Sequence, residues 1–298
     1  MLSASALNLT LPSPVMPFSP DWPGADKVTL HIKRDDLIHP IISGNKWRKL
    51  KYTFNQLPAN CNHIISFGGG YSNHLHACAY LCMRNQLTMT AIVRGNYSHG
   101  LTPMLKDLRA WGTHIQFVDK LTYQKRADAD YLSHLQQCYP TAYIVPEGGS
   151  HAPAIKGVAE LLQETPHPFD HVLAPVGSGA TLAGLITALK PQQSATGIAV
   201  LKGQGYLEDL VSQLLPSDCT NTHWRIEHQF HGGGYAKASA PLTAFCQTFT
   251  TRYKIPIEPV YSGKLMYAVK QMLQDGYFAN KSRILLLHTG GMQGARQS

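Results

Sequence analysis

The 298-residue chain has no run of about 18 apolar residues, so a membrane-spanning helix is not expected. Its opening, MLSASALNLTLPSPVMPF, has no basic segment ahead of an apolar one, which argues against a secretory signal. Prolines 12, 14 and 17 make it read as an extended lead-in. The six cysteines form no C-x-x-C pair and are too sparse for a disulfide framework, so they read as reduced thiols of a cytoplasmic protein. No G-K-[ST] follows any glycine cluster, which excludes a P-loop, and no G-x-S-x-G or H-E-x-x-H appears. His74 and His76 stand at i and i+2, on different faces of a helix, so no metal site is expected. Only 15% of residues are charged against 44% hydrophobic, which implies a large core and no disorder. There is no short internal repeat and no low-complexity tract.

The net charge of +8 permits nucleic-acid binding. The basic residues are nevertheless dispersed except at 46–51, and no nucleic-acid motif spacing appears, so a small anionic ligand explains the charge as well. That cluster lies in SGNKWRKLKY, residues 43–52. Ser43 and Asn45 are helix N-cap types and Gly44 permits a tight turn, which places Lys46 in a loop or first helical turn. Arg48, Lys49 and Lys51 follow closely and would disfavour the Lys46 ammonium, one route to a nucleophilic lysine with a carbonyl-bearing cofactor. On these ten residues alone, a solvated basic helix face accounts for the pattern as well.

The rest of the chain alternates strands and helices. Strands are expected at 28–33, 61–67, 88–93, 114–118, 142–145, 171–176, 197–201 and 283–288. Helices are expected at 75–83, 103–111, 125–138, 154–164, 182–189, 206–215, 241–253 and 265–276. This order argues for parallel α/β sheets with ligands at the carboxyl ends of the strands. Two junctions stand out. Gly68-Gly69-Gly70 leads to Ser72-Asn73-His74 at the start of a helix, and Gly177-Ser178-Gly179-Ala180-Thr181 joins another strand to another helix. Each exposes backbone N–H groups at a helix N-terminus. The second, with its serine and threonine hydroxyls, suits a phosphate dianion. It fails the dinucleotide pattern, because Gly184 comes too late and the next strand ends at Lys202 rather than at an acid.

Lys46, the GGGYSNH and GSGAT loops and the late HTGG, in this order, resemble the tryptophan-synthase-β-like (fold type II) pyridoxal 5′-phosphate enzymes. More narrowly they resemble the 1-aminocyclopropane-1-carboxylate deaminase and D-cysteine desulfhydrase family. The resemblance runs from Lys33-Arg34-Asp35-Asp36 to His288-Thr289-Gly290-Gly291. It implies two open, twisted, mostly parallel-sheet domains with the cofactor in the cleft between them. A large domain would comprise 1–52 plus 151–298, and 53–150 would form a smaller inserted one. Lys46 would carry the cofactor covalently and Lys49 would help hold its phosphate. Gly177, Ser178, Gly179, Ala180 and Thr181 would form the phosphate cup. Ser72, Asn73 and His74 would face the substrate carboxylate, with Asn73 reaching the cofactor's 3-hydroxyl. Tyr235 and Tyr261 would be the active-site tyrosines, and Ser262 or Thr289 would meet the pyridine nitrogen. A homodimer acting on a small amino acid is expected, with no nucleic-acid or membrane partner.

The chain departs from the family in Gly70-Tyr71, where Ile-Gln is usual, and in Leu75-His76, where Thr-Arg is usual. It is also shorter than typical members. Two activities follow from the resemblance. In one, a D-cysteine desulfhydrase-like lyase uses the released Lys46 amine to remove the α-proton and expel the β-thiol, ending in pyruvate, ammonia and hydrogen sulfide. In the other, a deaminase opens a cyclopropane ring to α-ketobutyrate and ammonia. The ring-opening members carry an acid and a leucine where Ser262 and Thr289 stand here, which favours the lyase. A basic nucleic-acid-binding protein is the third class, but it leaves the glycine loops and both tyrosines unexplained.

Overall fold

The computed structural model describes residues 3–296. Within these, ten strands form two sheets. In chain order the elements begin with β1 (Val15–Phe18), β2 (Thr29–Lys33), α1 (Asn45–Asn55), β3 (His63–Gly69), α2 (Asn73–Arg84), β4 (Thr88–Arg94) and α3 (Pro103–Ala110). Next come β5 (His114–Val118), α4 (Lys120–Gln124), α5 (Ala129–Cys138), β6 (Ala142–Val145), α6 (Ala152–Gln163), β7 (His171–Val176) and α7 (Ala180–Ala188). The chain closes with β8 (Ser194–Ala199), α8 (Tyr206–Leu214), β9 (Trp224–Glu227), α9 (Ala240–Tyr253), α10 (Ser262–Gln274) and β10 (Arg283–Leu287).

The six-stranded sheet runs β1-β2-β10-β7-β8-β9 and the four-stranded sheet β5-β4-β3-β6. All pairings are parallel except that of the edge strand β1 with β2. This is the tryptophan-synthase-β-like architecture of two mostly parallel sheets. The smaller sheet is built wholly from chain between β2 and β7, while the larger one takes strands from both ends. Buried strands such as Ile64-Ile65-Ser66-Phe67 and Ile284-Leu285-Leu286-Leu287 need helices on both faces. Separate apolar clusters supply that cover, and one packs Ile38, Ile42, Trp47 and Leu50 with Ile64 and Leu75.

Sequence and structure differ most at five elements, one of them the short helix α4 (Lys120–Gln124), which has no counterpart among the expected helices. The edge strands β1 and β9 have only four residues each and a mixed buried and exposed pattern, so they carry no clear alternation. β8 starts at Ser194 rather than 197, with Gly197 inside it; a Cβ there would come 2.5 Å from a Val176 methyl and 2.7 Å from Leu182. That glycine serves close helix-on-sheet packing rather than a turn. The helix expected over 125–138 is broken at Asp128, which takes extended dihedrals and caps α5 by accepting from the Tyr131 N–H.

Candidate active site

The site is built on two turns that interlock. Gly44 sits at φ +64 just before α1, and a Cβ there would fall 1.6 Å from the Thr289 carbonyl oxygen. Only glycine meets both demands. The Asn45 N–H donates to that carbonyl at 3.3 Å, so the turn after β10 sets the start of α1. Gly44 is itself the N-cap residue, and neither Ser43 nor Asn45 caps the helix. Asn45 instead donates from Nδ2 to Thr181 Oγ1 at 2.6 Å and accepts from Lys46 Nζ at 2.7 Å on Oδ1. Lys46 therefore lies in the first turn of α1.

Burial lowers the Lys46 pKa to about 8. Burial, rather than the basic neighbours of the sequence expectation, is the cause, and two of those neighbours are occupied elsewhere. Arg48 is buried against Asp35 (2.7 Å) and Glu164 (2.8 Å), and Lys51 pairs with Glu160 at 2.6 Å. The cluster thus forms no solvated basic face. Lys49 is held well below its ordinary pKa, first by burial and then by Lys46. Its Nζ donates to Ser178 Oγ at 3.3 Å. Among the described residues, neither Lys46 nor Lys49 pairs with a carboxylate.

Ser178 and Thr181 belong to the turn from β7 into α7, where Gly179 takes φ +81 and Ala180 is the first helical residue. Ser150 Oγ donates to Ser178 Oγ at 2.6 Å, so the loop after β6 closes over the same turn. A Cβ on Gly177 would meet the Tyr261 ring at 3.4 Å, which sets that tyrosine beside the loop. Tyr261 donates its hydroxyl to Tyr235 at 3.1 Å. Burial raises the pKa of both phenols, that of Tyr261 strongly. Tyr235 is 48% exposed and Tyr261 lies deeper.

From the smaller sheet, Ser72 is the N-cap of α2 and accepts from the Leu75 N–H at 3.1 Å. Asn73 and His74 follow in the first turn. Ser66 donates its hydroxyl to the Val145 carbonyl at 2.8 Å, so its oxygen accepts from His74 Nε2 at 2.7 Å. That fixes the tautomer and leaves the buried Nδ1 as a lone-pair atom without a partner among the described residues. Burial, then Lys46 and Lys49, depress the His74 pKa strongly, so the ring is neutral. It lies against Gly149, where an added Cβ would be 3.4 Å from His74 Nδ1 and 3.6 Å from Lys49 Cβ. His76 turns the other way, to Asp107 at 2.8 Å.

Ser262 is fully buried at the start of α10 and accepts from the Glu258 N–H at 3.0 Å. Glu258, which sequence reading missed, accepts from the N–H groups of Val260 (2.6 Å), Tyr261 (2.8 Å) and Ser262 (2.9 Å). Burial raises its pKa against the lowering by those donors. The one local signal was an acid four residues before a helix-start serine. Thr289, 7% exposed, makes no side-chain hydrogen bond among the described residues.

Residues 16–290 match the family model described as pyridoxal-phosphate dependent enzyme. The chain belongs to that family. A bifunctional D-cysteine desulfhydrase/1-aminocyclopropane-1-carboxylate deaminase of Arabidopsis thaliana, described as mitochondrial, is 28% identical over 313 residues, covering 95% of this chain and 77% of the relative. A D-cysteine desulfhydrase of Serratia proteamaculans is 24% identical, covering 88% and 86%. The fold matches the crystal structure of an ACC deaminase homologue with a TM-score of 0.81 at 24% identity, covering 96% of this chain and 91% of that one.

Members of this pyridoxal-phosphate dependent family must hold an aldehyde, a phosphate dianion and a pyridine ring. The donors present fit that group. A lysine with a depressed pKa suits the aldehyde, because a neutral amine is the nucleophile. Two hydroxyls, a second lysine and the N-terminus of α7 suit the phosphate. The phosphate's charge would in turn restore the Lys49 ammonium.

Proposed function

We propose that this enzyme is a D-cysteine desulfhydrase-like lyase, releasing hydrogen sulfide, pyruvate and ammonia from D-cysteine or a close analogue. When bound, pyridoxal phosphate supplies the electron sink that makes the substrate Cα–H acidic. Lys46 would hold the cofactor through Nζ and then, once displaced by substrate, take the Cα proton on that atom. Lys49, Ser178 and Thr181, with the backbone of Gly177, Gly179 and Ala180, would bind the phosphate. Ser72 and the backbone N–H groups of Asn73 and His74 would receive the substrate carboxylate at the α2 N-terminus.

The observation that carries this choice is the state of Glu258. Its carboxylate is the acid at this end of α10, and backbone N–H groups take up both of its oxygens. By the resemblance the ring nitrogen would meet a hydroxyl, Ser262 or Thr289, of which Ser262 already donates to Glu258 Oε1 at 3.2 Å, and a hydroxyl sustains a shallower electron sink than a carboxylate. Elimination of a thiolate tolerates that, since an acidic α-proton starts the reaction.

The alternative is 1-aminocyclopropane-1-carboxylate deamination, favoured by the paired hydroxyls of Tyr235 and Tyr261 at 3.1 Å. Ring opening lacks an α-proton and needs a nucleophile or base at the ring. Burial raises both phenol pKa values and so favours the neutral, donating form. The pair suits delivery of a proton to a departing thiolate better. Sulfide release from D-cysteine should exceed α-ketobutyrate formation from the cyclopropane substrate in kcat/KM. Efficient ketobutyrate production without sulfide would reverse the assignment.

The reading extends to setting and assembly. Free cysteines support a reduced, cytoplasmic environment, and a homodimer is proposed, to be tested by analytical ultracentrifugation. Residues 53–150 are taken as the smaller inserted domain, supported by the four-stranded sheet lying wholly between His63 and Val145.

A further inference from the structure

The segment after β10 does more than end the chain. A short 3₁₀ turn, Met292–Ala295, follows Gly291 and reaches across to the α2 end of the smaller sheet. There Gln293 donates from Nε2 to the Tyr71 carbonyl at 2.9 Å and to Asn73 Oδ1 at 2.8 Å. Both amide hydrogens are committed, and both partners are acceptors. Exchanging the oxygen and nitrogen of Gln293 would set a carbonyl against a carbonyl, so its orientation is determined. A second tie holds the tail, since Arg296 donates to Asp107 Oδ2 at 2.6 Å and the same oxygen accepts from His76 Nε2 at 2.8 Å. Two anchor positions, Tyr71 through its backbone carbonyl and His76 through its ring, are among the four at which this chain departs from the family it resembles.

The consequence falls on Asn73. With Oδ1 held by Gln293, its Nδ2 must be the opposite end of the carboxamide. That end lies beside Gly291, where an added Cβ would come 3.3 Å from Asn73 Nδ2 and 3.3 Å from Glu258 Oε1. We propose that Gln293 is a positioning residue which holds the Asn73 carboxamide with its donor end toward the cofactor's 3-oxygen. The proposal rests on the reading of Asn73 as the residue that meets that oxygen. A donor there stabilises the anionic form of the oxygen, and an acceptor would oppose it. Gln293 thus selects between two orientations of an amide that differ little in shape and are opposite in charge complementarity.

The test uses the holoenzyme and reads the cofactor itself. Gln293→Glu keeps the shape but removes the donor, so the Asn73 amide should turn to donate to the new carboxylate and present Oδ1 to the cofactor. Gln293→Met keeps bulk and removes the bond without favouring the turned amide. Cofactor affinity should fall about tenfold in the glutamate variant and only two- to threefold in the methionine variant, as expected for reversing or losing one hydrogen bond. In a pH titration of absorbance, the glutamate variant should lose long-wavelength intensity, associated with the anionic 3-oxygen, and methionine should lose less. Asn73→Ala is the reference and should shift both affinity and spectrum. If it shifts neither, the reading of Asn73 fails and the proposal with it. Should Asn73→Ala shift both while the Gln293 variants match the unaltered enzyme, or methionine do as much harm as glutamate, Gln293 does not set the orientation and the proposal alone is overturned.

Discussion

Two groups of buried cations meet on α1 and differ in what faces them. Arg48 donates to Asp35 at 2.7 and 2.9 Å and to Glu164 at 2.8 Å, and Lys33 reaches the same Glu164 at 3.2 Å. Ser13 completes the group, donating its hydroxyl to Asp35 at 2.6 Å. Burial acts to lower the Arg48 pKa, but the two carboxylates outweigh it and raise the value. On the same turn, Lys46 and Lys49 face an amide oxygen and a serine hydroxyl, and burial prevails in both. A charge that the protein pairs with its own carboxylate serves architecture, because losing the partner strands an ion. A lysine set against neutral groups is matched to a ligand's aldehyde or anion.

The largest effect expected from this contrast is at Lys46. Lys46→Met should lower sulfide release on the order of 10⁴-fold, about 5.5 kcal/mol of barrier, because it removes both the covalent attachment and the base. Lys51→Met, which breaks only a partly exposed pair with Glu160, should stay within about twofold. Borohydride reduction and peptide mapping should find the pyridoxyl adduct on Lys46. An adduct on Lys49 or Lys51 would dissolve the distinction between the neighbours.

Next in size is the paired side of the comparison. Arg48→Met leaves Asp35 buried without its cation and should cost about 3–5 kcal/mol in urea unfolding of the cofactor-free protein. Lys49→Met should not destabilise that form, since its ammonium gains no carboxylate on folding. It should instead weaken cofactor binding about ten- to a hundredfold, the loss of one charge-assisted contact to phosphate. If Lys49→Met unfolds the protein as readily as Arg48→Met, the two groups are one structural network.

How much of this was open to sequence reading follows from how local each signal is. The junctions of β3 with α2 and of β7 with α7 were legible because glycine turns and caps are written in adjacent residues, such as Ser72 three positions before Leu75. Lys46 was legible as a residue, but the reason for its lowered pKa was not. Arg48 looks like a repelling neighbour until Asp35 and Glu164, 13 and 116 residues away, come to face it. Asn45 resembled a cap because its reach to Thr181, 136 residues on, has no local trace. Glu258 was missed because its partners are backbone N–H groups, which every residue type but proline carries. The edge strands β1 (VMPF) and β9 (WRIE) were invisible because four residues carrying a proline in one and two charges in the other give no strand pattern, whereas the edge strands β5 (HIQFV) and β6 (AYIV) are richer in β-branched and aromatic residues.

The smallest effect is the pH dependence that Lys46 contributes. Folding lowers the Lys46 pKa from 10.5 to about 8. Between those values the unfolded chain binds more protons than the folded one, so this lysine makes stability rise with pH across that window. Below about pH 8 the ammonium is present in both states and the full cost of burying it is felt. Above about 10.5 both states are neutral and the cost is gone. The cofactor-free Lys46→Met variant lacks this dependence. It should be more stable than the unaltered cofactor-free protein at pH 7, on the order of 1–2 kcal/mol, with the partial exposure of Lys46 keeping the effect modest. The difference should shrink steadily as pH is raised toward 10. The same substitution therefore destroys activity and stabilises the apoprotein, a combination that Arg48→Met cannot produce. Urea titrations of both apoproteins at pH 7, 8, 9 and 10 test it directly. A Lys46→Met apoprotein that is less stable at pH 7, or a difference that does not change with pH, would show that Lys46 is solvated or paired like its neighbours.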